Sequence, residues 1–407
     1  MLAIKDDQLF IPTTLEIFDR FQIFFQFIGN GGLWGTFTIL FVGFPNIPDN
    51  PVEVIQNHVA EILIIADMGS LQHLQMRVIF AGAIPFNDFM PDSVDKCIEV
   101  LNLHGGNPVH INLNICKNLP IYEKYYHEIV EEIQGLADGQ QCDVRILQAV
   151  LFSMYSMPPS CNCSCFAFTT EQEILLGRNS DFLTEIERLN QNVVYKLTDG
   201  VYSFTGNTTA FIEIEDGVNE HGLAVGLTSV YSNQCKPGFN AGMIVRYLLE
   251  KCRNVSEAVS CLYQLPIASA QTLTLADTMG AIAVIECNAE QIKTEKTLNS
   301  NLAFVCATNT FHLPGMVGYN NDKIDNWFAE ERYQTLYSAF SEKNGGFNFP
   351  FAEKLLSGDY GFLCQYDRST GKDTVWSVIY DMKRHKIYRS EGNPRRHKFK
   401  EDIRFQF

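Results

Sequence analysis

The sequence is poor in basic residues. Its 407 residues include 31 Lys and Arg against 47 Asp and Glu, which gives a formal net charge of −16. Binding to nucleic acid requires lysines and arginines clustered against the phosphates, so we expect no nucleic-acid partner. The 12 cysteines are too few for a disulfide-built scaffold in a chain of this length. Free buried thiols suit a reducing compartment, and the cytoplasm is the predicted location.

The sequence also lacks a long uninterrupted apolar run. Residues 21–48 carry no charge, but Gln22, Gln26, Asn30 and several glycines interrupt their apolar side chains. A membrane-spanning helix needs about 20 predominantly apolar residues. We therefore predict a buried globular segment at 21–48, with contact to a membrane as the alternative.

No internal repeat or low-complexity tract is present, but the residue pattern divides the chain into three regions. Residues 1–108 are apolar and aromatic and contain no chemical motif. Residues 109–162 have helical periodicity, which predicts one helix through residues 122–133 and another at Val144–Met154. From residue 163 to 407, short strands are joined by polar turns and the helices are grouped. This pattern favours an α+β layered sandwich over alternating βαβ units.

Most strands are predicted as hairpins, because apolar runs flank turn residues. The predicted pairs are Cys163–Thr169 with Ile174–Arg178, Phe211–Ile214 with Leu223–Thr228, Leu273–Ala276 with Ala281–Glu286, and Trp376–Asp381 with Lys386–Arg389. Helices are predicted at 242–252, 255–265 and 322–339.

The first of these hairpins brings reactive side chains together. It places the thiol of Cys163 at the start of one strand, and Arg178 and Asp181 at the end of the next. A cysteine attacks as the thiolate, and a nearby cation lowers its pKa. An N-terminal cysteine would also have its own α-amine as a base, which here requires a cut between Asn162 and Cys163. The pattern predicts a nucleophile for attack on a carbonyl carbon.

These residues resemble the N-terminal-nucleophile hydrolases of the choloylglycine hydrolase and penicillin acyltransferase group. The similarity covers about residues 109–395, and its motifs stand in the order found in that group. They are Cys-Ser-Cys-Phe-Ala-Phe at 163–168, Leu-Leu-Gly-Arg-Asn-Ser-Asp-Phe at 175–182, Asn-Glu-His-Gly-Leu at 219–223, Ala307-Thr308-Asn309, Glu331-Arg332-Tyr333, and Thr374–Val378 with Gly392-Asn393-Pro394.

The resemblance implies a four-layer αββα sandwich of two antiparallel sheets. It also implies an enzyme that cleaves a linear amide through an acyl-thioester on Cys163. Residues 109–162 would form a helical pro-segment, and the cut before Cys163 would free its amine as the base. Arg178 and Asp181 would then organise that amine. The implied substrate is a small N-acyl amide, and the implied reaction needs no cofactor. Assembly into a homo-oligomer remains an open alternative.

The resemblance further implies groups that bind the oxyanion. The side-chain amide of Asn309 would line the oxyanion hole, and Arg332 would lie near the nucleophile. The second donor would be the backbone N–H of Thr228, with Ser229 as the competitor, because this sequence departs from the usual residues there.

Several alternatives remain at this stage. Cys161 and Cys165 flank Cys163, but only Cys163 stands 18 residues before Asp181, the spacing of the acyltransferase branch. The Cys-x-Cys-x-Cys run lacks the usual Cys-x₂-Cys spacing of a zinc site, so no metal is predicted. His221 could form a Cys–His dyad, although its turn predicts a solvated ring. The rival functions are acyl transfer to another amine or thiol, and a non-catalytic redox or metal-binding cysteine cluster.

Overall fold

The computed structural model describes twelve stretches of the chain. They are 37–40, 63–66, 115–140, 143–153, 162–187, 190–197, 200–209, 212–231, 235–297, 302–321, 323–342 and 346–407. The α-helices there are α1 Ile115–Tyr125, α2 His127–Gln140, α3 Val144–Ser153, α4 Ala241–Lys251, α5 Val255–Leu262, α6 Ala329–Ser341 and α7 Phe349–Leu356.

The strands form two large sheets and one small one. They are β1 Phe37–Leu40, β2 Leu63–Ala66, β3 Asn162–Thr170, β4 Ile174–Leu183, β5 Gln191–Tyr195, β6 Phe204–Thr208, β7 Asp216–Asn219, β8 Leu223–Ser229, β9 Gln271–Asp277, β10 Ile282–Cys287, β11 Ile292–Thr297, β12 Leu302–Ala307, β13 Lys372–Asp381, β14 Lys386–Glu391 and β15 Lys400–Asp402. Sheet I has the order β12-β3-β4-β13-β14-β15, and sheet II has the order β11-β10-β9-β8-β7-β6-β5. Strands β1 and β2 pair only with each other among the described residues.

Three apolar clusters show how the layers are stacked. Because side chains alternate between the two faces of a strand, each sheet can bury both faces. The inner faces of the two sheets meet through Cys165, Ala167 and Leu176 on one side and Ala224 and Ala276 on the other. The outer face of sheet II packs against α1–α5, and the outer face of sheet I packs against α6 and α7. The αββα sandwich and its antiparallel sheets are therefore confirmed.

Helices α1–α3 are tied to sheet II by buried polar contacts as well as by apolar packing. The guanidinium of Arg246 is fully buried and pairs with Glu132 of α2 at 2.6 Å and with Glu250 of its own helix at 2.7 Å. The hydroxyl of Tyr126 donates to Glu250 at 2.7 Å. Breaking such a pair leaves a buried charge without a counter-ion, so these contacts hold the helices before β3 on the rest of the fold.

Some predictions of local structure were wrong. The strand predicted at Phe211–Ile214 is absent from the described part of that range, and the strand that pairs with β8 is β7, which begins at Asp216. The turn between β7 and β8 is at Gly222, whose φ of +74° suits glycine. The helix predicted through residues 122–133 is divided into α1 and α2 around Tyr126.

Helix α6 begins seven residues later than predicted, at Ala329 rather than 322. Trp327 and Phe328 have φ values of +52° and +61°, and this left-handed backbone cannot be part of a right-handed helix. Helix α7 was not predicted. In the described residues, no helix combines the length and the apolar character needed to span a bilayer. Of the segment 21–48, only β1 is described.

Candidate active site

The pairing of β3 with β4 brings the predicted residues together. Cys163 lies opposite Ser180, and Cys165 lies opposite Arg178. Cys165 belongs to the core between the sheets, so Cys163, two residues earlier, also faces that core. Cys163 is 1% exposed. Residue 161, the third cysteine of the run, lies outside the described residues.

The guanidinium of Arg178 is the link between the thiol and sheet II. It is fully buried, and its Nη2 donates to Cys163 Sγ at 2.9 Å. Its other hydrogen bonds go to Leu227 O at 2.9 Å, Asp216 Oδ2 at 2.7 Å and Glu215 Oε2 at 3.1 Å. A guanidinium is planar and carries its donors in a fixed geometry, so these acceptors hold it in one orientation. The contact of Arg178 with the sulfur therefore depends on the acceptors on the side of sheet II.

Sequence reasoning missed the acids that hold Arg178. Glu215 and Asp216 are each about 1% exposed or less. Asp216 also accepts hydrogen bonds from Trp376 Nε1 at 3.0 Å and Tyr380 Oη at 2.7 Å. The sequence does contain a signal for these acids, because Glu213, Glu215 and Asp216 interrupt an apolar stretch. Acids in a buried stretch need a counter-charge or hydrogen-bond donors.

The thiol of Cys163 is protonated in the uncut chain. Burial raises its pKa to about 12, although Arg178 and Arg332 act in the opposite direction. One cation beside a fully desolvated sulfur therefore does not ionise it at neutral pH. To attack a substrate, a thiol in this state would need a base, and the backbone amide of Cys163 cannot serve as one.

Asn309 lies against the backbone of Cys163. Its Oδ1 accepts hydrogen bonds from Cys163 N–H at 2.9 Å and from Arg332 Nη2 at 2.8 Å. Its Nδ2 donates to Ser229 O at 2.7 Å. Turning the amide over would set two donors against Nδ2, so these neighbours determine its orientation. Nδ2 carries a second hydrogen, which is the group an oxyanion could use.

Arg332 contacts the backbone around Cys163 rather than its sulfur. It is fully buried, and its Nη1 donates to Cys163 O at 2.6 Å and to Ser164 Oγ at 2.9 Å. Its Nε donates to Trp327 O at 3.0 Å, in the left-handed turn before α6. Arg332 thus joins this turn, Asn309 and the start of β3 in one hydrogen-bonded unit.

The β8–β9 ladder distinguishes Thr228 from Ser229. Hydrogen-bonded residues alternate along an antiparallel ladder. Leu227 N–H bonds to Glu215 O, whereas Val230 N–H bonds to Ala270 O in the chain preceding β9. The backbone of Thr228 therefore faces β9, and that of Ser229 faces away from β9, as does the Ser229 carbonyl that Asn309 contacts. The geometry favours Ser229 over Thr228 as a backbone donor near Cys163.

Asp181 lies opposite Asn162, on the strand beside the bond that precedes Cys163. It accepts hydrogen bonds from Thr374 Oγ1 at 2.6 Å and Tyr366 Oη at 2.9 Å, and lies 3.6 Å from Arg332 Nη1. In the uncut chain the amide of Cys163 contacts Asn309 instead of Asp181. Burial raises the pKa of Asp181 to about 6, with Arg332 opposing the rise.

This raised pKa gives a prediction about stability. A carboxyl with a raised folded-state pKa stabilises the fold below its unfolded pKa, and this contribution is lost as the pH rises through about 6. In an uncleaved Cys163→Ala chain, unfolding free energy should fall from pH 4 to 7 by about 1 to 3 kcal/mol more than in the same chain carrying Asp181→Asn. Urea unfolding at both pH values measures this. Equal pH dependence in the two chains would contradict the assignment.

The other candidate residue, His221, lies at the opposite end of β8 from the residues near Cys163. His221 precedes β8, whereas Ser229, near Cys163, is at the far end of that strand. The ring of His221 packs edge-on against the ring of Tyr202, with 4.3 Å between the ring centroids. Among the described residues, no group of three or more His, Cys, Asp or Glu side chains is arranged to hold a metal ion.

Comparison with known proteins bears on this arrangement. The sequence model of the acyl-coenzyme A:6-aminopenicillanic acid acyl-transferase family matches residues 168–396, more than half of the chain. The chain belongs to this family. The family lies in the N-terminal-nucleophile group of amidases and acyltransferases that the motifs predicted, which confirms the resemblance. The match begins just after Cys163, and it contains Arg178, Asp181, Asn309 and Arg332.

Solved structures with similar chains come from the same group. An N-acylethanolamine-hydrolyzing acid amidase ortholog from Caenorhabditis elegans is 18% identical, with 54% of this chain and 93% of that chain covered and a TM-score of 0.40. Penicillin V acylase from Agrobacterium tumefaciens is 15% identical, with 56% of this chain and 83% of that chain covered and a TM-score of 0.35. A conjugated bile acid hydrolase from Clostridium perfringens is 14% identical, with 56% of this chain and 89% of that chain covered and a TM-score of 0.41. No curated protein is a significant match to the chain.

Proposed function

We propose that this chain is the precursor of a cysteine amidase that cleaves N-acyl amides through Cys163. The observation that carries the proposal is the position of that residue. Its sulfur is 2.9 Å from Arg178 Nη2, and its backbone nitrogen is 2.9 Å from Asn309 Oδ1. A nucleophile, a cation and an amide that can bind an oxyanion therefore meet at one residue.

The proposed activation is a cut between Asn162 and Cys163. The sulfur attacks the carbonyl carbon of Asn162, and the thiol proton passes to the nitrogen of Cys163 as the C–N bond breaks. Water then hydrolyses the thioester, which leaves a carboxylate on Asn162 and a free amine and thiol on Cys163. Asn162 is fully buried, and within the described part of the chain its Oδ1 has no hydrogen-bond partner. A buried polar atom without a partner costs about 1–3 kcal/mol. Cleavage allows the end of the pro-segment to move into water, which supports this bond as the site.

In the proposed reaction the freed α-amine takes the proton from the Cys163 thiol. The thiolate attacks the substrate carbonyl, and the oxyanion is bound by Asn309 Nδ2 and by the backbone N–H of Ser229, which the ladder favours over Thr228. The amine proton passes to the leaving nitrogen, and an acyl-thioester remains on Cys163. Water then releases the acid. Arg178 stabilises the thiolate, and Asp181 and Arg332 hold the new N-terminus.

A second candidate is acyl transfer, which the description of the matching family favours. It uses the same acyl-thioester, but an amine or a thiol replaces water in the second step. The residues at Cys163 do not distinguish the two, because the acceptor binds after the thioester has formed.

A panel of N-acyl amides of increasing acyl length, assayed by released amine, tests the amidase proposal. We expect release at a rate proportional to the fraction of chain cut before Cys163. Adding acceptor amines separates the two reactions, since acyl exchange faster than hydrolysis would favour the transferase. If no amide is cleaved, zinc is bound, and iodoacetamide does not label Cys163 preferentially, the non-catalytic alternative would replace both.

A further inference from the structure

One edge of sheet I is unlike the other edges of the large sheets. Natural sheets protect outer strands from pairing with other chains by placing charged or polar residues on them. Strand β15 is entirely charged, β11 carries Lys293, Glu295 and Lys296, and β5 begins with Gln191 and Asn192. Strand β12 reads Leu-Ala-Phe-Val-Cys-Ala and has no charged or amide side chain.

The backbone of β12 has groups available for another strand. Thr170 N–H bonds to Glu173 O in the β3–β4 turn, so even-numbered residues of β3 face β4 and odd-numbered ones face β12. The register then pairs Thr169, Ala167 and Cys165 with Ala303, Val305 and Ala307. The N–H and C=O groups of Phe304 and Cys306 therefore point away from β3, towards the side where the described residues place no strand.

A groove follows this free edge. It has a volume of about 460 Å³ and is bordered by Val284 and Glu295 of sheet II, Phe304 of β12, and Tyr337 and Phe340 of α6. The ring of Tyr337 is 48% exposed and packs edge-on against Phe304 at 5.9 Å. Strand β12 contacts β9 and β10 of sheet II. A strand added beside β12 would run along this groove.

The same chain contains a small sheet that needs a neighbour. Strands β1 and β2, with the sequences Phe-Thr-Ile-Leu and Leu-Ile-Ile-Ala, contain one polar residue between them. A sheet of two strands is marginally stable in water, and three or more strands are needed for independent stability. Both of its edges are open within the described residues.

We infer that the β1–β2 sheet adds to the free edge of β12 and extends sheet I. Strand β1 has four residues and β12 has six, so the added strand fits along the existing one. Both strands are uncharged, so the added strand brings no further charge to the groove. A second copy of the chain is the rival occupant, but twofold pairing would bring Glu295 of each copy to the same groove in a chain of net charge −16.

Hydrogen exchange of the full chain tests the inference at two amides, Phe304 and Cys306. If β1–β2 covers the edge, both should exchange at least about 10-fold more slowly than free-edge amides, at any protein concentration. Ile39→Pro in β1 or Ile64→Pro in β2 should remove this protection, because proline disrupts a strand. Amides of the charged edge strand β11 are the internal control, and those of Leu273 and Leu275 in the centre of sheet II report whether each variant is folded.

Three results would overturn the inference. The first is free-edge exchange of Phe304 and Cys306 in the unmodified chain. The second is protection that survives both proline variants in folded protein. The third is protection that increases with protein concentration, which would assign the edge to a second copy. If the proline variants fail to fold, the unmodified chain still decides by its exchange rates and their concentration dependence.

Discussion

Cys163→Ala should leave one chain of 46.1 kDa that neither cuts itself nor cleaves any amide. The sulfur is the proposed nucleophile in both reactions, so both should be lost together. Removing the nucleophile of a comparable covalent hydrolase costs on the order of 10⁶-fold in turnover, and we expect at least about 10⁴-fold here. Intact mass and amine release measure the two effects.

Cys165→Ala is the matched control for this change. Cys165 is fully buried, lies on the same face of β3 and also has its pKa raised to about 12 by burial. It is beside Gly226, not beside the proposed oxyanion donors. The Cys165→Ala chain should still be cut and should keep most of its activity. Equal losses in the two variants would show that the cysteines act through packing and would contradict the proposal.

Arg178→Gln should have the second largest effect. It removes a buried cation that contacts Cys163 Sγ, Glu215 and Asp216, and it leaves two buried acids without their counter-charge. Removing one member of a buried ion pair costs about 3–5 kcal/mol of stability. Because Arg178 lowers the pKa of Cys163, its loss should also slow alkylation of that thiol by iodoacetamide at a fixed pH by at least about 10-fold.

Arg246→Gln separates these two effects. Arg246 is as deeply buried as Arg178 and pairs with Glu132 and Glu250, on the opposite face of sheet II from the thiol. We expect a comparable loss of stability, measured by urea unfolding, with little change in the alkylation rate of Cys163. If Arg178→Gln alkylates as fast as Arg246→Gln, the contact between Arg178 and sulfur is structural only.

The sequence predicted the parts of the site that depend on local pairing. Cys163 and Arg178 could be brought together because their two strands are joined by a short turn, and a hairpin fixes which residues are adjacent. The succession of hairpins and grouped helices along the sequence predicted the layered α+β fold. Asn309 and Arg332 came from the family resemblance, because both are far along the chain from Cys163.

The parts of the site that the sequence did not predict depend on how the two sheets and their strands pack. Glu215 and Asp216 bind Arg178 from the side of sheet II. Their acidic side chains in an apolar stretch indicate burial, but the partner Arg178 depends on how the two sheets pack. The preference for Ser229 over Thr228 follows from alternating hydrogen bonds in the β8–β9 ladder, which requires the register. The late start of α6 follows from the left-handed turn at Trp327, which is held through Arg332.

The central claim is that Cys163 becomes an N-terminal nucleophile, and the mass and N-terminal sequence of the purified active protein test it most directly. The account predicts two chains in one complex, 1–162 and 163–407, with cysteine as the first residue of the second and activity proportional to the fraction cut. A fully active, intact chain of 46.1 kDa without a new N-terminal cysteine would contradict it.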